Sequence, residues 1–177
     1  IMEKGGIILY PTDTIWGIGC DATNEDAVKR VYEIKKRIDS KALIVLVDKP
    51  VKVEFYVREV PEIAWNLIDV ADKPLTIVYP NARNLATNVL ADDGSVGIRI
   101  TQETFSRKLC ERFRKAIVST SANISGQPAP TNFNEISDEI KQAVDYVVTY
   151  RQDDPYQPSP SSVIWIGEGG VIKILRP

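Results

Sequence analysis

Thr23-Asn24-Glu25-Asp26-Ala27-Val28-Lys29-Arg30-Val31-Tyr32-Glu33-Ile34-Lys35-Lys36, followed shortly by Ala42-Leu43-Ile44-Val45-Leu46-Val47, is the stretch that decides the fold. Its opening four residues have the composition of a helix N-terminus with a capping box. Ala27, Val28, Val31, Tyr32 and Ile34 then form an apolar stripe that predicts a helix running to about Lys36. The second run does not alternate, and six apolar residues in a row read as a strand covered on both faces. A helix feeding a doubly covered strand means helices packed on a sheet, an α/β or α+β architecture.

Working outward, strands are predicted at 7–10, 75–79, 96–100, 116–121, 146–149, 162–166 and 171–175, and helices at 62–68, 103–114 and 134–142. With the helix and strand already named they amount to eight strands and four helices in a twisted mixed sheet with flanking helices. With no linker-like composition and no internal repeat, residues 1–177 read as a single domain with no second C-terminal domain. The chain opens on Ile1 rather than Met, so an N-terminal segment is expected to be missing.

The 177 residues are 44% hydrophobic and 26% charged, enough for a sizeable core, and include no histidine. That zero excludes a Ser-His-Asp triad, a Cys-His dyad, an imidazole base and a His-ligated metal. Cys20 and Cys110 match neither a CxxC pair nor a disulfide framework and point to a reducing, cytoplasmic setting. No apolar run is long enough to span a membrane. Net charge is −2, but residues 29–41 and 99–115 each hold six basic residues against two acidic ones. Local basic segments in a mildly acidic chain suggest an anion site such as a nucleotide; solvated helix faces are the alternative.

Three places carry polar groups spaced by two, which share a side in an extended chain. Thr12 and Thr14 flank Asp13; Lys35 and Arg37 flank Lys36; Ser119, Ser121 and Asn123 alternate along the end of a strand. On a helix, residues two apart diverge by about 200°, so Lys35 and Arg37 serve one ligand only if the helix has ended. Otherwise they are a basic C-terminus facing the macrodipole. Ser119 to Gly126 presents hydroxyls and an amide before a glycine turn, as a phosphate-binding loop does; a plain strand-to-turn transition is the alternative. Arg99 lies opposite the core-facing Ile98 and Ile100, where it can clamp a carboxylate or pair with a surface acid. No Walker A or GxGxxG fingerprint is present.

The segments 4–22, containing Pro11-Thr12-Asp13-Thr14, then Lys35-Lys36-Arg37, then 119–126, with Ser161-Ser162-Val163 and Leu175-Arg176-Pro177, closely resemble the YrdC-type L-threonylcarbamoyladenylate synthases. The ordered set spans essentially the whole chain. The resemblance implies a twisted α/β sheet with a concave, positively charged groove. It also implies a nucleotidyltransferase that makes threonylcarbamoyl-AMP and pyrophosphate from L-threonine, bicarbonate or CO2, and ATP. The product feeds the threonylcarbamoyladenosine modification of tRNA through downstream transfer proteins. By matching positions, Lys35, Arg37, Ser121 and Asn123 are the catalytic set. Thr14, Arg99, Ser119 and Ser161 hold threonine, with Arg99 on its carboxylate. Arg37, Lys41, Ser95, Ser121, Asn123, the main chain at Ala129, and Arg176 line the nucleotide side. Mg2+ is expected to arrive with ATP rather than through a protein cage. The sequence departs from the family pattern at Ile38, Ala42 and Leu46, the last standing where many members place a histidine that contacts threonine. Two other readings are a module binding tRNA or double-stranded RNA in the groove, and a carbamoyl-adenylate domain for metallocentre maturation.

Overall fold

The computed structural model describes residues 1–37, 43–155 and 158–177. A hairpin of β1 (Ile8–Tyr10) and β2 (Gly17–Gly19) leads into α1 (Glu25–Ile34) and β3 (Ile44–Val47). Two helices, α2 (Val53–Tyr56) and α3 (Glu62–Val70), precede β4 (Leu75–Tyr79) and β5 (Val96–Ile100). Then come α4 (Thr104–Phe113), β6 (Ile117–Ser121), α5 (Asp138–Ala143), β7 (Tyr146–Val147), β8 (Ser162–Ile166) and β9 (Ile172–Arg176). The strands form one nine-stranded sheet in the order β7-β1-β2-β6-β3-β5-β4-β8-β9. The pairs β1/β7, β3/β5 and β4/β8 are parallel and the others antiparallel, so the sheet is mixed, as expected.

β3 lies between β6 and β5, and its Val45 and Leu46 are wholly buried. Their alternating side chains point to opposite faces, so this strand is covered on both, which explains the unbroken apolar run. α1 buries Ala27, Val28, Val31 and Tyr32. Its cap is Asn24, whose Oδ1 accepts from the Ala27 amide at 3.1 Å. Position N3 is therefore Ala27, so the reciprocal carboxylate of a capping box is absent, and the Thr23 hydroxyl donates instead to Asp21 at 2.6 Å.

Three elements differ from expectation: α2 is a short helix that the sequence reading did not place, β2 is an added strand, and one expected helix is divided. β2 is a strand despite Gly17 and Gly19, because those glycines let its neighbours close in: a Cβ at Gly19 would fall 2.5 Å from the Tyr10 ring. Tyr10 is fully buried there, and its hydroxyl donates to the Val118 carbonyl at 2.9 Å. The helix expected at 134–142 breaks into a 3-10 turn, Phe133–Glu135, and α5. Ser137 interrupts it in an extended conformation and caps α5 by accepting from the Ile140 amide. Cys20 and Cys110 are free and buried. Among the described residues, no helix is long and apolar enough to cross a membrane.

Candidate active site

The end of α1 settles the geometric question posed by Lys35 and Arg37. Ile34 is the last helical residue, and Lys36 adopts a left-handed conformation with φ of 53°. The Lys36 amide donates to the Glu33 carbonyl at 3.0 Å and the Arg37 amide to the Tyr32 carbonyl at 2.9 Å. This is a Schellman termination, achieved without the usual glycine. The helix stops between the two cations, so they are no longer bound to diverge. Lys36 turns outward and pairs with Glu139 at 2.6 Å across an exposed surface.

Lys35 is 3% exposed. Its ammonium donates to the carbonyls of Ser121 at 2.6 Å and Asn123 at 3.0 Å, with Ser121 Oγ and Asn123 Oδ1 both at 3.3 Å. The Ser125 amide returns a bond to the Lys35 carbonyl at 2.8 Å, and Asn123 Nδ2 donates to the Gln127 carbonyl at 2.7 Å. The helix end and the loop after β6 are thus tied into one unit. Burial, and secondarily the charge of Arg37, lower the Lys35 pKa to about 8.

At the other end, Arg99 leaves β5 and is 3% exposed. Its Nε donates to Asp13 at 2.9 Å, its Nη2 to Thr14 Oγ1 at 3.2 Å and its Nη1 to Ser161 Oγ at 3.5 Å. Ser161 Oγ also lies 2.7 Å from Thr76 Oγ1 and accepts from Arg176 Nη2 at 3.3 Å. Arg176 Nε donates to the Ser161 carbonyl at 2.6 Å. Two guanidiniums therefore converge on one serine, and burial together with the Arg99 charge lowers the Arg176 pKa. The carboxyl of Asp13 is pushed above the usual range because burial outweighs its partner Arg99. Such crowding of cations around hydroxyls favours an anion between them.

Between these ends opens a cavity of about 280 Å³. Thr14, Arg37, Arg99, Ser119, Ser121, Ala129, Ser161 and Arg176, all candidates from the sequence, line it. Gly17, on the opposite strand, makes room for Ser119: a Cβ there would sit 3.1 Å from the serine hydroxyl. Lys35 and Asn123 stand behind the wall rather than in it, bonded to each other and to Ser121. Ser95 is placed apart: it precedes β5 in a turn, its amide donating to Asp93 at 3.0 Å, and it does not line the cavity. Lys41, Ile38 and Ala42 lie outside the described residues. Leu46 is fully buried at the register position between Arg99 and Ile117 and does not reach the cavity. Arg99 faces neither solvent nor a fully exposed acid, since the side chain of its partner Asp13 is only 10% exposed. Asp13 is the residue sequence reasoning passed over; its signal was an acid set between two threonines at a strand end. Thr76, an ordinary β-branched strand residue, gave no signal.

The chain as a whole is matched among known proteins. A family model for Sua5, YciO and YrdC, described as telomere recombination, matches residues 1–177. The chain belongs to the Sua5/YciO/YrdC family. It is 31% identical over 161 residues to the threonylcarbamoyl-AMP synthase of Pseudoalteromonas translucida, covering 89% of this chain and 86% of the relative. The putative threonylcarbamoyl-AMP synthase of Methanocaldococcus jannaschii is 36% identical over 172 residues, covering 97% of this chain and 79% of the relative. The crystal structure of P. abyssi Sua5 complexed with L-threonine superposes with a TM-score of 0.86 at 27% identity, covering 99% of this chain and 51% of that one. The chain thus spans about half the length of the Sua5 proteins of known structure that it matches.

Proposed function

We propose that this chain is a threonylcarbamoyl-AMP synthase acting on L-threonine, bicarbonate or CO2, and ATP, with residues 1–177 forming the domain that carries the chemistry. The observation that carries this reading is the convergence of Arg37, Arg99 and Arg176 with the hydroxyls of Thr14, Ser119, Ser121 and Ser161 on one cavity. Relatives over most of the chain bear that name, and a structural neighbour holds L-threonine.

In this reading the threonine carboxylate meets the free nitrogens of Arg99, and Thr14 and Ser161 fix its position. The threonine amine captures CO2, and a carbamate oxygen attacks the α-phosphorus of ATP as pyrophosphate leaves. The substrate supplies its own nucleophile, so the enzyme's tasks are placement and charge neutralisation, which arginines and hydroxyls perform without a histidine base. Arg37 and Arg176 neutralise phosphate charge, Ser121 donates to a phosphate oxygen, and Ala129 borders the nucleotide. Lys35 and Asn123 hold Ser121 in place. Among the described residues the cavity lining contains no carboxylate, so its donors suit an anion better than a bare cation. Mg2+ would be carried in by the ATP phosphates, whose charge it offsets. The adenylate would pass to proteins that transfer the threonylcarbamoyl group to tRNA, in the cytoplasm, a setting that suits the two free cysteines. The RNA-binding alternative is not favoured, since among the described residues Trp16 is the one aromatic lining the cavity, and a single ring does not make a track of stacked bases beside cations.

Incubation with ATP, L-threonine and bicarbonate is expected to yield equal amounts of pyrophosphate and threonylcarbamoyl-AMP, resolved by chromatography. Neither product appearing with L-threonine, or both forming equally without it, overturns the reading.

A further inference from the structure

The Arg99 guanidinium has three edges, and only some are available to a ligand. Asp13 takes Nε at 2.9 Å in an ion pair whose side chains are 4% and 10% exposed. Thr14 and Ser161 lie beside Nη2 and Nη1 at 3.2 and 3.5 Å, long enough to yield to a stronger acceptor. Carboxylates meet guanidinium either side-on, through Nε and one Nη, or end-on, through both Nη. With Nε occupied, only the end-on approach remains.

The segment that carries Asp13 is tied down at its neighbour. It follows β1, and the neighbouring Thr12 carbonyl accepts from Arg151 Nη1 at 3.0 Å. Arg151 also pairs with Glu103 at 3.4 Å and Asp154 at 3.1 Å. Asp13 further borders a second cavity of about 270 Å³, lined by Ile68, Asp72, Lys73, Leu75, Ile100 and Gln102 among others. The Asp13–Arg99 pair therefore stands as a wall between two cavities, with Asp13 on the rear face and Arg99 on the front.

We propose that Asp13 is a positioning residue that occupies Arg99 Nε and thereby presents the Nη pair end-on to the substrate carboxylate. This rests on the reading that Arg99 receives the threonine carboxylate. Asp13 does not touch the substrate; it sets the direction and the net charge of the group that does.

The test is a double-mutant cycle in the full chain, with Asp13→Asn, Arg99→Gln and the double variant, measuring KM for L-threonine and for ATP. Asp13→Asn is expected to raise KM for L-threonine about tenfold while leaving KM for ATP and kcat within about twofold. In the Arg99→Gln background the same change is expected to leave KM for L-threonine unchanged or lower it, because an unpaired Asp13 carboxylate repels the substrate. Asp13→Ala should act in the same direction as Asp13→Asn and more strongly. An equal rise in both backgrounds, or a parallel rise in KM for ATP, marks a general structural role and overturns the proposal. So does an unchanged or lowered KM in the single variant. If Asp13→Asn supports the proposal only when folded, its thermal melt must match the unaltered protein; a collapsed melt overturns a role confined to positioning. Absence of L-threonine binding by the unaltered protein overturns the reading beneath the proposal as well, so the two failures are distinct.

Discussion

The two ends of the cavity hold their cations by different means. Arg99 is fixed by another charge, Asp13, whereas Lys35 is fixed chiefly by the carbonyls of Ser121 and Asn123. The first arrangement is nearly neutral as a pair and leaves the outer nitrogens of a fork free. The second keeps a full positive charge but aims it at main chain, so that its field reaches the cavity through Ser121. A carboxylate needs a shaped partner and a polyphosphate needs accumulated charge; in the proposed reading Arg99 serves the first and Lys35 with Arg37 the second, while Arg176, beside Ser161, adds its charge from the Arg99 end.

That contrast can be broken most severely at Arg99. Arg99→Ala should cripple the use of L-threonine, with kcat/KM for L-threonine down at least about 100-fold, and should destabilise the fold by about 3–5 kcal/mol because the largely buried Asp13 carboxylate loses its partner. Calorimetry with L-threonine and a thermal melt check the two parts. Lys35→Met leaves two carbonyls without a donor, and the expected loss is about 2 kcal/mol of stability with a 10- to 100-fold fall in kcat/KM for ATP. Here KM for L-threonine should move far less, and an equal effect on both substrates would erase the distinction between the ends.

A gentler probe is pH. Because its folded pKa is lowered to about 8, Lys35 sheds its charge as pH rises through 8 rather than above 10. kcat/KM for ATP should fall along an alkaline limb with an apparent pKa near 8, and Lys35→Arg should remove that limb while Asp13→Asn leaves it in place. In folding terms the sign is opposite to a paired lysine. The folded state binds this proton less tightly than the unfolded chain, so the Lys35 contribution to stability increases from pH 8 to 10.5. The smallest effect belongs to Lys36, held at φ of 53° with only a surface pair to Glu139. Lys36→Gly should raise stability by about 0.5 kcal/mol and Tm by about 1–2 °C, with activity unchanged, which a melt and a turnover assay resolve.

Elements whose cause is local were legible before the fold was known. Leu75–Tyr79 and Val96–Ile100 appear with the expected bounds because proline, glycine and apolar runs mark them in the chain. The spacing of Lys35 and Arg37 posed a condition, that they could serve one ligand only if the helix had ended, and α1 does end at Ile34. What resisted reading depends on partners distant in sequence. β2 needs glycine only because Tyr10 and Val118 press against it. Asp13 becomes a site residue only because Arg99, 86 positions away, reaches it. Ser95 was expected on the nucleotide side from the family resemblance alone, and in the structure it sits in a local turn with its amide donating to Asp93. Leu46, where the resemblance put one threonine contact in doubt, is fully buried in register with Arg99 and does not line the cavity.

The two cysteines have a practical bearing on all such work. Cys20 is inaccessible and Cys110 nearly so, and burial drives both thiols upward, Cys110 to about 12. In the native protein neither offers an appreciable thiolate, so alkylating dyes should pass them by. A single cysteine introduced on the surface can therefore carry a fluorophore without first stripping the chain of its own, and the slow labelling of the native pair becomes a clock for global opening.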